Sequence, residues 1–426
     1  MEQDTLIIEG AGGKRLIRGT VQVNGSKNDA VQAIAAGLIC RTPLKLENLP
    51  QIDDVSKMLA LVERLGGEVK RGKRSASILP PANLAHPKLD EEIAEKIRAS
   101  ILFSGPTLAR YGEVTFPHPG GCVIGERPID FFLHGFRAMG ARVVDEGKGY
   151  LIRAPRGGLR GATIFFKNQS VTATETFLMA ALLARGETVL KNCALEPEIE
   201  NLVNFLKSAG GRITGLGTTT LTIQGGKPLS PKRAYRILPD RIEAGSFAIM
   251  GSLLAEELKL THCEPEHLEA LLNLLGEMGI GVKRGKQSVT ILAPKGELKA
   301  LKVKTHEYPG FPTDLQAPFT VLLTQARGGS EVFEAIFEGR VAYAETLNRM
   351  GAKIEILDSH RLKISGPTPL QGQEVSSPDL RAGLAYLLAG LIAHGKTIVH
   401  NARYIDRGYE DIAHRLTTLG LSIKRA

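Results

Sequence analysis

Tryptophan is absent from this 426-residue chain, and Phe, Tyr and Trp together make up 5% of it. Stacking platforms for single-stranded nucleic acid are therefore scarce. Cysteine is nearly as rare. Cys40, Cys122, Cys193 and Cys263 show neither CxxC nor metal-ligand spacing and give no disulfide framework for so long a chain. No apolar run reaches the ~20 residues of a bilayer-spanning helix. The longest runs, 177–184 and 382–393, read as buried helices. The first residues lack the basic, apolar, small-residue succession of a secretory signal, so the expected setting is reducing and cytoplasmic. The net charge of +9 could suggest nucleic acid or an anionic membrane. Its Lys and Arg are scattered, however, and groupings such as Lys73-Arg74 and Lys424-Arg425 are pairs, not runs. The excess is read as solvated surface and as a field for small anions, with no nucleic acid and no membrane insertion. Several catalytic signatures are also missing. Gly10 to Lys14 lacks P-loop spacing, His306-Glu307 has no second His, and neither a G-x-S-x-G elbow nor a dinucleotide fingerprint occurs.

What the chain does have is one short pattern six times over. An apolar residue (Val62, Phe136, Leu206, Leu275, Leu347, Leu416) stands four residues before a glycine (Gly66, Gly140, Gly210, Gly279, Gly351, Gly420). The intervals between glycines are 74, 70, 69, 72 and 69 residues. Four residues is one helical turn, and Gly closes a helix in the left-handed conformation cheaply. An alternating segment follows each glycine and predicts a half-buried strand, as at Glu68-Val69-Lys70 and Lys353-Ile354-Glu355. So regular a period identifies a repeat architecture. Six units make two domains of three units the economical arrangement.

Upstream of each glycine lies a segment rich in Ala, Leu, Ile and Gly on every face: 27–39, 97–109, 171–184, 241–255, 314–323 and 380–393. A helix apolar all round is a buried helix. The starts of these helices differ from their bodies. Ser26, Ser170, Asp240, Thr313 and Asp379 are good N-caps. Lys27, Arg98, Arg241 and Arg381 place cations where the helix dipole disfavours them, at ~0.3–1 kcal/mol each when exposed. Their recurrence suggests a site that needs positive charge, one that would hold a highly anionic ligand if the helix starts of both domains face one cleft.

The sharpest local signal is the segment Pro119 to Asp130, with three glycines and two prolines. It reads as a loop, and it carries Cys122 behind two glycines, with Arg127 close enough in sequence to favour the thiolate. Cys40, Cys193 and Cys263 read as buried and inert.

With these residues the chain resembles the UDP-N-acetylglucosamine 1-carboxyvinyltransferases, which are enolpyruvyl transferases. The resemblance runs from Val23-Asn24-Gly25-Ser26-Lys27-Asn28 to Ile405-Asp406-Arg407-Gly408-Tyr409-Glu410. It includes Ile97-Arg98-Ala99-Ser100, the Pro119–Asp130 loop, Leu238 to Glu243, Phe311 to Ala317, Phe337-Glu338-Gly339-Arg340 and Asp379-Leu380-Arg381-Ala382. It implies an α/β fold of two inverse, inside-out barrels of three units each, with buried helices and pseudo-sixfold repetition. The domains would be 27–238, carrying the cysteine loop, and 1–26 plus 239–426. It implies transfer of the enolpyruvyl group of phosphoenolpyruvate to the 3′-hydroxyl of UDP-N-acetylglucosamine with release of phosphate, in peptidoglycan precursor synthesis. Partners would be these small molecules alone, the protein a monomer or weak homo-oligomer, and no metal or organic cofactor is used.

By the same resemblance, Lys27, Arg127 and Arg407 hold the phosphate end of phosphoenolpyruvate. Asn28, Arg98, Arg340 and Arg381 surround the same anion. Cys122 donates a proton to C3 and can add to C2, Asp314 is the base, and Asp379 assists by positioning. Asn28, Arg98, Arg127, Pro128, Ile129, Asp130, Ser170, Val171, Asp314 and Ile336 line the nucleotide-sugar side. The sequence departs from the family's usual residues at Glu126, Thr172, Gly339 and Asp29-Ala30-Val31-Gln32. Two other readings remain: the shikimate-pathway relative, which lacks the cysteine loop, and a catalytically weak paralogue that binds a nucleotide sugar.

Overall fold

The computed structural model describes residues 4–118, 120 and 129–426. The chain divides into two compact units. The first holds residues 25–118, 120 and 129–238, and the second holds 4–24 and 239–426. The N-terminal strands belong to the second unit. Thr5–Glu9 pairs antiparallel with Lys396–His400 and with Ser422–Arg425, while Ile17–Gln22 runs parallel to Ala255–Thr261.

Each of the six glycines has a positive φ, between 84° and 106°. A side chain would strain the backbone there, so Gly turns the chain from helix into strand. The strands that follow are Glu68–Gly72, Arg142–Asp145, Arg212–Thr214, Gly281–Arg284, Lys353–Ile356 and Ser422–Arg425. The apolar residues four positions earlier are all fully buried. Burying such a side chain stabilises the fold by roughly 1.5–3 kcal/mol, which anchors the end of each amphipathic helix.

These strands lie at one edge of six small sheets among the described residues. In Lys302–Lys304, Gly328–Phe333, Arg361–Gly366, Lys353–Ile356 the first pair is parallel and the next two are antiparallel. Four other sheets repeat that order. The remaining one has three strands, and a parallel bridge from Lys88 to Thr115 stands where the fourth would be.

The apolar segments form helices at Lys27–Ala36, Ser104–Tyr111, Val171–Leu183, Arg241–Leu254, Gln316–Leu323 and Leu380–Ile392, almost wholly buried. Within each unit its three helices, with the single turns leading into them, pack on one another. The approach is close: a Cβ on Gly105 would lie 2.4 Å from the Thr176 carbonyl oxygen. Two of the helices start differently from the sequence expectation. Arg98–Phe103 and Thr313–Leu315 are 3-10 turns, not the first turns of α-helices. Pro106 and Pro318 supply no N–H to the carbonyls of Leu102 and Asp314, so the α ladder cannot reach back past them. Among the described residues no helix is long and apolar enough to cross a membrane.

Candidate functional site

In the second unit a side chain caps the start of two of the three interior helices, while Gln316–Leu323 and the turn before it have no such cap. Asp240 accepts hydrogen bonds from the N–H of Ile242 and Glu243, at 2.8 and 3.0 Å. Asp379 accepts from Arg381 and Ala382, at 2.7 and 3.1 Å. Each such cap stabilises its helix by about 1 kcal/mol. Asp379 thereby holds the backbone of Arg381.

The arginine's side chain turns to Asp314. Arg381 Nη2 donates to Asp314 Oδ2 at 2.7 Å, and Arg340 Nη2 donates to Oδ1 at 2.8 Å. Both guanidiniums are buried, and the carboxylate is a quarter exposed. Loss of hydration favours the neutral acid, but Arg381 and then Arg340 outweigh it and hold the Asp314 carboxyl well below its usual range. Loss of hydration works against the Arg381 cation too, and Asp314 again prevails, pushing that arginine's pKa up.

Neighbouring groups fix the clamp. Arg340 Nη1 donates to Thr313 Oγ1 at 2.7 Å, and that hydroxyl donates to Glu334 Oε2 at 2.8 Å. The fully buried Glu334 also accepts from the N–H of Ile336 and Phe337, at 2.9 and 3.1 Å. On the other side Arg381 Nη1 donates to Tyr409 Oη at 3.2 Å, and Tyr409 pairs with Ser246 at 2.7 Å. Burial pushes the Tyr409 phenol up to about 12, so it stays neutral. Arg407 is buried beside this region, next to Gly408, whose backbone packs on Leu380.

In the first unit Ser26 caps Lys27–Ala36 by accepting from the Asp29 N–H at 3.3 Å, and Ser170 caps Val171–Leu183 in the same way through Ala173. Lys27 Nζ lies 3.3 Å from Asp54 Oδ2, a buried carboxylate in the first turn of Asp53–Arg64. Lys27, Asn28, Arg98, Ser170, Val171 and Thr172 are all half-buried at these helix starts. Ile129 is buried, and Asp130 is exposed as the first residue of Asp130–Ala138. Cys122, Glu126, Arg127 and Pro128 lie outside the described residues. Cys40, Cys193 and Cys263 are buried, and burial pushes their thiols up to about 12, 11 and 11. They are not nucleophiles at neutral pH.

The structure thus gathers Asp314, Arg340 and Arg381 into one hydrogen-bonded group, with Ile336 tied to it through Glu334. Sequence reasoning missed Glu334, Tyr409 and Asp54. Glu334 alone left a trace, as a carboxylate inside an otherwise apolar stretch before Arg340.

The sequence profile of the EPSP synthase (3-phosphoshikimate 1-carboxyvinyltransferase) family matches residues 12–416. A UDP-N-acetylglucosamine 1-carboxyvinyltransferase from Koribacter versatilis is 45% identical over 417 residues, covering 97% of this chain and 95% of that protein. One from Halothermothrix orenii is 42% identical over 410 residues, covering 96% and 97%. The enolpyruvyl transferase NikO from Streptomyces tendae superposes with a TM-score of 0.88 at 24% identity, over 99% of this chain and 98% of its own. EPSP synthase from Acinetobacter baumannii superposes with a TM-score of 0.72 at 18% identity, over 99% of both chains. The two solved structures share the mixed α/β fold. By its profile and its full-length relatives, the chain belongs to the EPSP synthase family of enolpyruvyl transferases.

Proposed function

We propose that this chain transfers the enolpyruvyl group of phosphoenolpyruvate to the 3′-hydroxyl of UDP-N-acetylglucosamine and releases phosphate, the first committed step of peptidoglycan precursor synthesis. The observation that carries the reading is the Asp314 carboxylate held between two buried arginines and still a quarter exposed. A base must be ionised and within reach, and an anionic substrate needs bidentate cations beside it.

In this reading Lys27, Asn28, Arg98, Arg127, Arg340, Arg381 and Arg407 bind phosphoenolpyruvate. Asn28, Arg98, Arg127, Pro128, Ile129, Asp130, Ser170, Val171, Asp314 and Ile336 bind the nucleotide sugar. The hydroxyl oxygen bonds to C2 while its proton passes to Asp314 and Cys122 protonates C3. Asp314 then passes that proton through water to the Cys122 thiolate, which restores both groups for the next step. Elimination follows: Asp314 takes a proton from C3, the carbon–oxygen bond to phosphate breaks, and phosphate leaves. Held by both arginines, Asp314 is ionised but a weak base. A substrate carboxylate that engages Arg340 and Arg381 draws hydrogen bonds away from Asp314 and raises its basicity as the substrate arrives.

We read each unit as an inside-out α/β barrel of three repeats, six in all, with domains 27–238 and 1–26 plus 239–426. The common strand order of the sheets and the packed interior helices support this. The test is phosphate release on mixing protein with phosphoenolpyruvate and either UDP-N-acetylglucosamine or 3-phosphoshikimate. Release with the nucleotide sugar alone is expected. Release with 3-phosphoshikimate alone, or binding of the sugar without turnover, would overturn the proposal.

A further inference from the structure

Asp29 is fully buried two residues after Lys27. A carboxylate has about four lone-pair sites, and here each is used. Oδ1 accepts from Tyr235 Oη and from Gln32 Nε2, the latter at 2.7 Å. Oδ2 accepts from Asn201 Nδ2 at 2.7 Å and from the Leu238 N–H at 2.7 Å. The donors come from three places besides its own helix turn: helix Pro197–Ser208, strand Tyr235–Arg236 and the residues just after that strand. The backbone closes the same joint, because the Ser26 N–H donates to the Leu238 carbonyl at 2.7 Å. Gln32 Nε2 also reaches the Glu198 carbonyl at 2.6 Å, and Asn201 Nδ2 reaches that of Arg236 at 3.1 Å. No substrate can touch a carboxylate so enclosed. Its effect must pass through the helix turn it holds.

The geometry points to Asp29 as a positioning residue: it locks the first turn of the Lys27 helix to the segment 235–238 and so sets where Lys27 and Asn28 present their side chains. This rests on the proposed binding of phosphoenolpyruvate by those two residues. Asp54 restrains the amino group of Lys27, and Asp29 restrains the backbone that carries it. Tyr235 is itself held, with its ring 4.9 Å from that of Phe205 and its strand paired to Leu46 and Glu47. The lock therefore rests on rigid elements.

The test is steady-state kinetics of the full chain. Asp29→Asn keeps the shape but sets an amide donor against the donors around it. Its KM for phosphoenolpyruvate should rise about tenfold with kcat changed far less. Tyr235→Phe removes one of the four donors and should raise KM in the same direction by about two- to threefold. In a Lys27→Met background, Asp29→Asn should raise KM by less than it does alone, because the Lys27 contact is already gone and only that of Asn28 remains. A merely structural role would lower the active fraction, so kcat would fall with KM unchanged. That result, in either Asp29→Asn or the milder Tyr235→Phe, overturns the proposal. Lys27→Met separates the two readings. An unchanged KM there overturns the binding role of Lys27 and this inference with it. A raised KM there, with no change in folded Asp29→Asn or Tyr235→Phe, overturns this inference alone.

Discussion

Two aspartates near the starts of interior helices, Asp29 and Asp314, share a residue type, yet their chemistry differs. Asp29 is fully enclosed, and its four hydrogen-bond donors are neutral. Burial pushes its carboxyl up to about 7 despite the donors, and Glu198 adds to the rise. Nearby Glu175 is raised for the same reason, burial first and then Glu198, Asp29 and Glu196. Asp314 meets two guanidiniums instead, and they overcome the loss of hydration. The charge of the partners decides the direction in which each carboxyl is shifted. Exposure then decides the role: Asp314 can meet a substrate and Asp29 cannot.

The largest expected effect separates these roles. Asp314→Asn should reduce phosphate release by about 10²- to 10⁴-fold in folded protein, the usual worth of a positioned base. A loss of less than tenfold would erase the distinction.

The next effect is on stability. Asp29 binds its proton more tightly in the folded chain than in the unfolded one. Its contribution is full below the ordinary aspartate range, near pH 4, and is lost as pH rises through about 7. Asp314 has the opposite sign. Its contribution is present above the ordinary range and lost as pH falls through its depressed pKa. Denaturant melts from pH 4 to 8 should therefore show a decline for the parent chain. The decline should be shallower in Asp29→Asn by up to a few kcal/mol. Glu175 retains part of the slope. An equal slope in both proteins would remove Asp29 from the account.

A smaller effect sharpens the clamp itself. Arg381→Lys replaces a planar fork with a point charge, and KM for phosphoenolpyruvate should rise about tenfold or more. With Asp314 less firmly held, the acid limb of its pH–rate profile should move to higher pH. A shift to lower pH would contradict the electrostatic order described here. Smallest of all, Tyr409→Phe loses the hydrogen bonds to Ser246 and Arg381. It should cost about 1 kcal/mol in denaturant melts and change kcat little.

The sequence already contained much of the fold. Glycines such as Gly66 and Gly351 marked the turns, because few other residues take their backbone conformation. The interior helices were legible because they are apolar all round. Their 3-10 starts were not foreseen, although Pro106 and Pro318 were the signal. In the candidate site, Lys27 and Arg381 were legible as cations at the starts of apolar helices, and Arg340 and Asp314 by resemblance. Their partners were not. Asp29 meets Asn201 172 residues away and Leu238 209 residues away, and no local spacing encodes such contacts. Glu334 and Asp54 are carboxylates like many others until the fold buries them.

The most direct measurement is phosphate release by the parent chain and by Asp314→Asn, with phosphoenolpyruvate alone and with UDP-N-acetylglucosamine added. Release by the parent only when both substrates are present, and its near-complete loss in the folded variant, is the predicted result. Equal release by the two proteins, or none from folded parent, would contradict the account.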